Sequence, residues 1–97
     1  MPVRNNQSFI LYQNFPNPAK TITTIELDTK KEANYSLTVY DLSGHLVTNI
    51  WKNEICPPGK HFVNLNLEKW NLQPGIYYYV LRHETEVATK KLMVVTP

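Results

Sequence analysis

The amino-acid sequence predicts an all-β domain, a single antiparallel sandwich of about seven short strands. Apolar and polar residues alternate with a period of two in segments such as "YSLTVYD" and "FVNLNL", and this period is typical of half-buried strands. No window has a sustained helical period. Turn residues separate the short apolar segments, which is the pattern of a sandwich of the immunoglobulin or fibronectin III class.

The strands follow in chain order. A short apolar segment precedes two prolines, "TITTIEL" and "YSLTVYD" alternate, and "IYYYVLR" is rich in aromatic and β-branched residues. Such residues favour a pleated, half-buried surface. The predicted strands are 9–12, 21–27, 35–41, 45–51, 60–67, 75–83 and 86–95.

Three turns are predicted from glycine and proline. In "DLSGH", Asp41 begins a turn and Gly44 provides a positive φ, so the strands on either side form a hairpin. Pro58-Gly59 and Pro74-Gly75 suit the central positions of type II turns, and a strand is expected directly after each.

The segment "LYQNFPNPAK" leads into the second strand. Proline lacks an N–H group and favours an extended residue before it, so Pro16 and Pro18 predict an extended or turned segment that cannot complete a central ladder. Such a segment also protects a sheet edge from stray pairing. We expect Leu11 and Phe15 to anchor it by packing against the sandwich.

Composition restricts the function classes. The 97 residues fit one domain, and a net charge of +2 with scattered basic residues argues against nucleic-acid binding. Cys56 is a lone cysteine, so it forms no internal disulfide, and we interpret it as a structural thiol. Apolar runs are too short to span a bilayer, and residues 1–10 lack the apolar centre of a signal peptide. The sequence is therefore cytosolic or part of a longer secreted protein.

No catalytic residue, metal site or cofactor is predicted. His45, His61 and His83 have no second ligand at metal-binding spacing, and Ser43 belongs to the predicted turn. A Cys56–His61 nucleophile pair has no evident orienting group and lies beside Pro57-Pro58 in a predicted loop. An enzyme would need a pocket that gathers a histidine and carboxylates.

The aromatic residues leave two interpretations. A sugar-stacking platform, as in a carbohydrate-binding or adhesive module of a secreted enzyme, could be formed by tyrosines of the "YYY" run together with Trp51, Trp70 and Tyr40. In the other interpretation, Tyr77, Tyr79 and Leu81 fill the core and Tyr78 is partly exposed.

The motifs "LYQNFPNPAKTITTIEL", "YSLTVYDLSGHLV" and "NLQPGIYYYVLRHETEVATKKLMVV" together resemble the C-terminal sorting domain (type A) of cargo proteins of the type IX, or Por, secretion system. The resemblance covers residues 11–95 and includes the order of the motifs. One departure is that "AKTITT" follows Pro18 directly, where the family often inserts further residues. The matching residues are Asn14, Phe15, Pro16, Asn17 and Pro18; Val39, Tyr40, Asp41, Gly44 and Val47; and Gly75, Tyr77, Tyr79, Leu81, Lys90 and Lys91.

This resemblance implies a non-catalytic address label from a Gram-negative bacterium. The folded domain would be recognised by the outer-membrane translocon and sortase-type machinery after its upstream cargo domain enters the periplasm, without inserting into the membrane itself. The cargo would then reach the cell surface or the medium, usually after cleavage of the domain. Residues 1–8 are expected to be a linker remnant and residues 9–97 the sorting domain.

The resemblance also directs attention to the last strand. We expect Lys90 and Lys91 to contact the machinery, with strand 86–95 and its neighbouring edge as the recognised surface, which strand addition could bind. In the alternative interpretation, the last strand is simply paired within its sheet and its lysines are solvated. Asn14, Pro16, Asn17, Pro18, Asp41, Gly44, Gly75, Tyr77 and Tyr79 would act through the fold. A structural spacer is a further alternative.

Overall fold

A computed structural model describes residues 7–96 and confirms the sandwich. Two antiparallel sheets contain all the strands, in the orders β1-β2-β5 and β4-β3-β6-β7. The strands are β1 (Phe9–Leu11), β2 (Ile22–Thr29), β3 (Ala33–Asp41), β4 (Leu46–Cys56), β5 (Gly59–Asn66), β6 (Gly75–His83) and β7 (Glu86–Val94).

The core lies between the two sheets because each strand turns one set of alternate residues inward. Along β2 the burial pattern alternates strictly, and Ile25 and Leu27 have no exposed surface. Leu37 and Val39 on β3 are equally buried from the other sheet. The Cα radius of gyration of 13.6 Å is that of a compact domain of about 100 residues.

Strand β4 is longer than predicted. It ends at Cys56 rather than at residue 51, because β3 begins at Ala33 and the two strands pair as far as Ala33 with Cys56. Three register shifts interrupt this pairing. Each shift breaks the alternation from which a strand can be recognised in sequence.

Cys56 therefore ends a strand and does not lie in the loop that the prolines predicted. Its side chain is 5% exposed, and burial raises the pKa of the thiol, which fits the structural interpretation. His61 Nε2 lies 2.9 Å from the carbonyl oxygen of Pro57 and 3.1 Å from Thr29 Oγ1. The hypothetical Cys56–His61 pair is thus replaced by hydrogen bonds that hold the β4–β5 connection.

The β3–β4 hairpin forms as predicted. Gly44 has a φ of +89°, its N–H donates to the Asp41 carbonyl, and Asp41 Oδ1 accepts the His45 N–H at 2.9 Å. That backbone hydrogen bond lowers the pKa of Asp41. The predicted type II turns are wrong: Gly59 and Gly75 have φ values of +130° and +154°, far from the roughly +80° of such turns. Both glycines are already the first residues of strands.

Candidate recognition site

The segment before β2, residues 13–19, lies along the outer edge of β7. We call it the entrance segment. Ala19 pairs with Val94 in a parallel bridge. The Ala19 N–H donates to the Met93 carbonyl at 2.7 Å, and the Val95 N–H donates to the Ala19 carbonyl at 2.9 Å. Two motifs from opposite parts of the sequence are therefore joined by their main chains.

Side chains of the entrance segment bind the same edge. Asn17 Oδ1 accepts the Met93 N–H at 3.0 Å, and Gln13 Nε2 donates to the carbonyl of Lys91. The Asn17 amide oxygen thus accepts the edge N–H of Met93 in the way that a main-chain carbonyl of a neighbouring strand would. The two prolines, each after a cis peptide bond, are exposed beside it.

This contact limits the strand-addition hypothesis for β7. Both main-chain polar groups of Met93 already have partners, as do the Lys91 carbonyl and the Val95 N–H. An incoming strand would have to displace the entrance segment along residues 91–95. Within residues 7–96, no strand pairs with the earlier part of this edge, around Val87 and Thr89.

Asn14 holds the entrance segment from within. It is 2% exposed, and its Nδ2 donates to Thr23 Oγ1 at 2.9 Å and to the Pro16 carbonyl at 3.1 Å. Thr23 Oγ1 in turn donates to the same carbonyl at 2.9 Å. The amide therefore donates to two acceptors and ties the turn at Pro16 to the start of β2.

The predicted packing of Phe15 is wrong, whereas Leu11 is buried as expected. The Phe15 side chain is 80% exposed, although its N–H and carbonyl both bond to Thr24, at 2.9 and 3.0 Å. Thr23 and Ile25 point into the core, so Thr24 points away from it. The bridge to Thr24 places the Phe15 ring on that outer side.

The motif tyrosines serve the fold. Tyr79 has no exposed surface, and its hydroxyl donates to the Tyr12 carbonyl at 2.8 Å, just before the entrance segment. Burial raises the pKa of Tyr79. Tyr77 is half-buried, and its hydroxyl donates to the Gln73 carbonyl at 2.7 Å. Both hydroxyls thus fix loops at the margins of the sheet.

The structure does not assemble the hypothetical sugar-stacking platform. Trp51 pairs with Leu37 and packs, like Trp70, against the core. Tyr78 pairs with Tyr40 and lies on the opposite, outer face of the four-stranded sheet. The aromatic rings therefore do not form one exposed plane.

Lys90 and Lys91 lie on opposite faces of β7. Lys90 pairs with Tyr79 on the core-facing side and is half-buried, whereas Lys91 pairs with Tyr78 on the outer face and is exposed. On the same face, Arg82 donates to the Tyr40 hydroxyl at 3.0 Å and its guanidinium lies 5.5 Å from the Tyr40 ring centre. Lys91 thus belongs to a basic and aromatic surface, and Lys90 to the margin of the core.

Asp41, Gly44 and Gly75 gather at one end of this sheet. Asp41 pairs with Tyr77, and Gly75 pairs with Val94 near the entrance segment. Their placement indicates that they shape the turns of the sheet and do not bind a partner directly, because the Asp41 carboxylate accepts a hydrogen bond within its own hairpin.

The start of the domain is attached at the other end of β7. Ser8 donates its N–H and its hydroxyl to the two carboxylate oxygens of Glu86, at 2.6 and 2.8 Å. The Ser8 carbonyl accepts the Lys30 N–H at 2.6 Å. The domain boundary between residues 8 and 9 stays a prediction, since residues 1–6 lie outside the described residues.

Stability should depend on pH through Glu86. The hydrogen bonds from Ser8 lower the pKa of Glu86 below the ordinary value of 4.5. Their contribution to the free energy of unfolding is therefore complete above pH 4.5 and is lost as pH falls through the pKa of the folded state. We expect Glu86→Gln to reduce the difference in free energy of unfolding between about pH 6 and about pH 3. Urea unfolding at both pH values measures it.

Glu32→Gln is the matched control, because Glu32 is exposed and lies just outside β3. If the difference in free energy of unfolding between the two pH values were unchanged in the Glu86 variant, the Ser8 contact would not contribute to stability.

Among residues 7–96, no group of three or more His, Cys, Asp or Glu side chains is placed to hold a metal ion. Within the same residues, no helix has the length and apolar character needed to cross a membrane. A cavity of about 240 Å³ beside the end of β7 has Lys20 and Glu68 as its titratable lining residues, so it does not gather a histidine with carboxylates.

Comparisons with known proteins agree with the architecture. Residues 13–95 match the family model described as "Secretion system C-terminal sorting domain". No curated protein matches the sequence. Among solved structures, dimeric latent PorU from Porphyromonas gingivalis is similar, with a TM-score of 0.70 and 20% identity over 98% of this chain. The chain spans only 10% of the length of that protein.

Proposed function

Since this chain belongs to the family of secretion system C-terminal sorting domains, and so is a sorting signal of type IX secretion, we propose that it directs a larger cargo protein across the outer membrane. The cargo precedes it in the same polypeptide. A similar fold that makes up 10% of a much longer protein supports this arrangement. The domain acts by being bound and has no catalytic role of its own.

The contact between the entrance segment and β7 is the observation that carries the proposal. The family motifs are far apart in sequence, yet Asn17 bonds to Met93 across 76 positions and Ala19 bridges to Val94. A recognition module needs a rigid scaffold that holds a fixed surface. Here the motifs form that scaffold around the last strand. The outer face of the four-stranded sheet beside it is then the surface that we propose is recognised.

Lys91 is the direct contact that we propose on this surface, with Lys90 at its margin. The Lys91 ammonium is exposed beside Tyr78, and Arg82 adds a second positive charge on the same sheet face. An acidic group on the translocon or on the sortase-type machinery would complement these charges. The open part of the β7 edge at Val87 and Thr89 would allow a short main-chain contact beside them.

The route follows from the same function. The domain passes through the periplasm in its folded state and is read at the outer membrane. Cleavage in the linker upstream, within or before residues 1–8, then separates it from the cargo, which is attached to the cell surface or released. The Ser8–Glu86 contact supports a linker that ends where the folded domain begins.

Fusion of the whole chain to a periplasmic reporter tests the proposal in a bacterium that has type IX secretion. We expect the reporter at the cell surface or in the medium, and in the periplasm when the translocon is absent. Lys90→Gln with Lys91→Gln should reduce export about tenfold or more, if two charge contacts of about 1 kcal/mol each are lost.

Lys30→Gln with Lys31→Gln is the control, because these residues form the other basic doublet of the sequence. Thermal unfolding of both variants checks that the fold is retained. A wild-type fusion that stays in the periplasm would refute the sorting function. Full export of the Lys90 and Lys91 variant would refute only the role of the lysines.

A further inference from the structure

The edge strands of the two sheets differ in how well they are protected from pairing with another strand. β1 is three residues long, and the entrance segment covers β7 along residues 91–95. β4 is broken by three register shifts and carries Lys52 and Glu54, with Asn53 between them at a φ of +55°. Short strands, coverings, bulges and charges are the means by which proteins prevent pairing at an edge.

Strand β5 carries one of these protections, Lys60 near its start, but residues 61–66 have no charge of this kind and no register shift. It pairs with β2 across eight residues without a register shift, and no strand lies on its other side in the part of the chain that the structure describes. The Leu67 N–H donates to Thr21 on β2. The N–H and carbonyl groups of successive residues in a strand point to opposite sides within the sheet plane. Those of Lys60, Phe62 and Asn64 therefore point away from β2, towards the open edge.

The side chain at the centre of this open edge is apolar. Phe62 is 63% exposed and points away from the core, since Val63 and Leu65 point into it. A regular, uncharged strand centre with an exposed aromatic ring is a ready template for another strand. Its occupant must supply main-chain N–H and carbonyl groups and an apolar side chain opposite Phe62.

A second copy of the same strand meets both requirements. We propose that two copies of this domain associate through antiparallel pairing of their β5 strands, centred on Phe62. Phe62 then lies opposite Phe62 of the second copy, and Lys60 lies opposite Asn64, each pair exchanging two main-chain hydrogen bonds. No like charges are directly opposed, and Lys60 keeps its 3.0 Å ion pair with Glu26 in its own sheet.

This pairing closes on itself. A twofold axis through the Phe62 pair joins two three-stranded sheets into one of six strands. The contact is isologous and uses the open edge of both copies, so it ends at a dimer and does not extend into a fibre.

Sedimentation equilibrium of the intact chain from about 1 µM to about 500 µM tests the association. The average mass should rise from 11.3 kDa towards twice that value. Phe62→Lys should weaken association about tenfold or more, because it removes the aromatic pair and opposes two positive charges. Ile22→Lys is the matched control, since Ile22 is 54% exposed on the same sheet face but lies on β2, away from this edge.

A cysteine probe tests the register. Phe62→Cys should form a cross-linked dimer on mild oxidation, because opposed Cα atoms in such a pair are about 5.5 Å apart, within the range of a disulfide. Ile22→Cys should not, and native Cys56 is buried. A wild-type mass of 11.3 kDa at every concentration would overturn the proposal. So would a dimer that Phe62→Lys leaves intact, since association would then use another surface.

Discussion

Replacing Asn14 with alanine should lower the free energy of unfolding by about 2–3 kcal/mol. The amide is buried and donates to Thr23 Oγ1 and to the Pro16 carbonyl, so the variant leaves a buried hydroxyl and a partly buried carbonyl with fewer partners. It also frees the turn that presents Asn17 and Ala19 to β7. Urea unfolding followed by tyrosine and tryptophan fluorescence measures the change.

Phe15→Ala is the informative comparison. It removes a much larger side chain from the neighbouring position, but the ring is 80% exposed and the hydrogen bonds to Thr24 belong to the main chain. The expected change is within about 0.5 kcal/mol. A larger loss for Phe15→Ala than for Asn14→Ala would mean that the ring, and not the buried amide, anchors the entrance segment.

Deletion of residues 88–97 should abolish cooperative unfolding. Leu92 has no exposed surface and Val94 is 5% exposed, and removing one such core side chain costs about 2–5 kcal/mol. The deletion also removes every partner of Asn17 and Ala19 on β7. The sum reaches the about 5–15 kcal/mol that stabilises a typical domain. Circular dichroism during heating should show no sharp transition.

This result has a consequence for tests of export. Loss of export after such a deletion would report unfolding as much as a missing contact surface. The Lys90 and Lys91 substitutions separate the two effects, because neither side chain belongs to the buried core. A deleted chain that still unfolds cooperatively would contradict the structural role of β7.

The sequence predicted the strands wherever alternation was clean. β2, β5 and β6 were placed nearly correctly because inward and outward residues alternate or because aromatic and β-branched residues dominate. β4 was cut short because its pairing with β3 shifts register three times, which removes the period. Proline-glycine pairs marked the loop ends but not their conformation, since neighbouring strands set the φ of the glycines.

The candidate site was predictable only as a set of motifs. A proline-rich segment indicated protection of an edge, but nothing local shows that the edge is β7, because Asn17 and Met93 are 76 positions apart. Burial of Asn14 rather than Phe15 follows from which side of β2 the segment meets. That orientation is a property of the folded sheet. The exposed edge of β5 likewise depends on strand order, which the sequence does not display.

The contact between residues 13–19 and residues 91–95 also determines when the proposed recognition surface can form. A surface assembled from both extremities of the domain does not exist on a nascent polypeptide until the ribosome has added the closing strand. Contacts of such long range also form late in folding. With the function that we propose, a cargo chain that stops before β7 would lack the recognised surface and would not be exported.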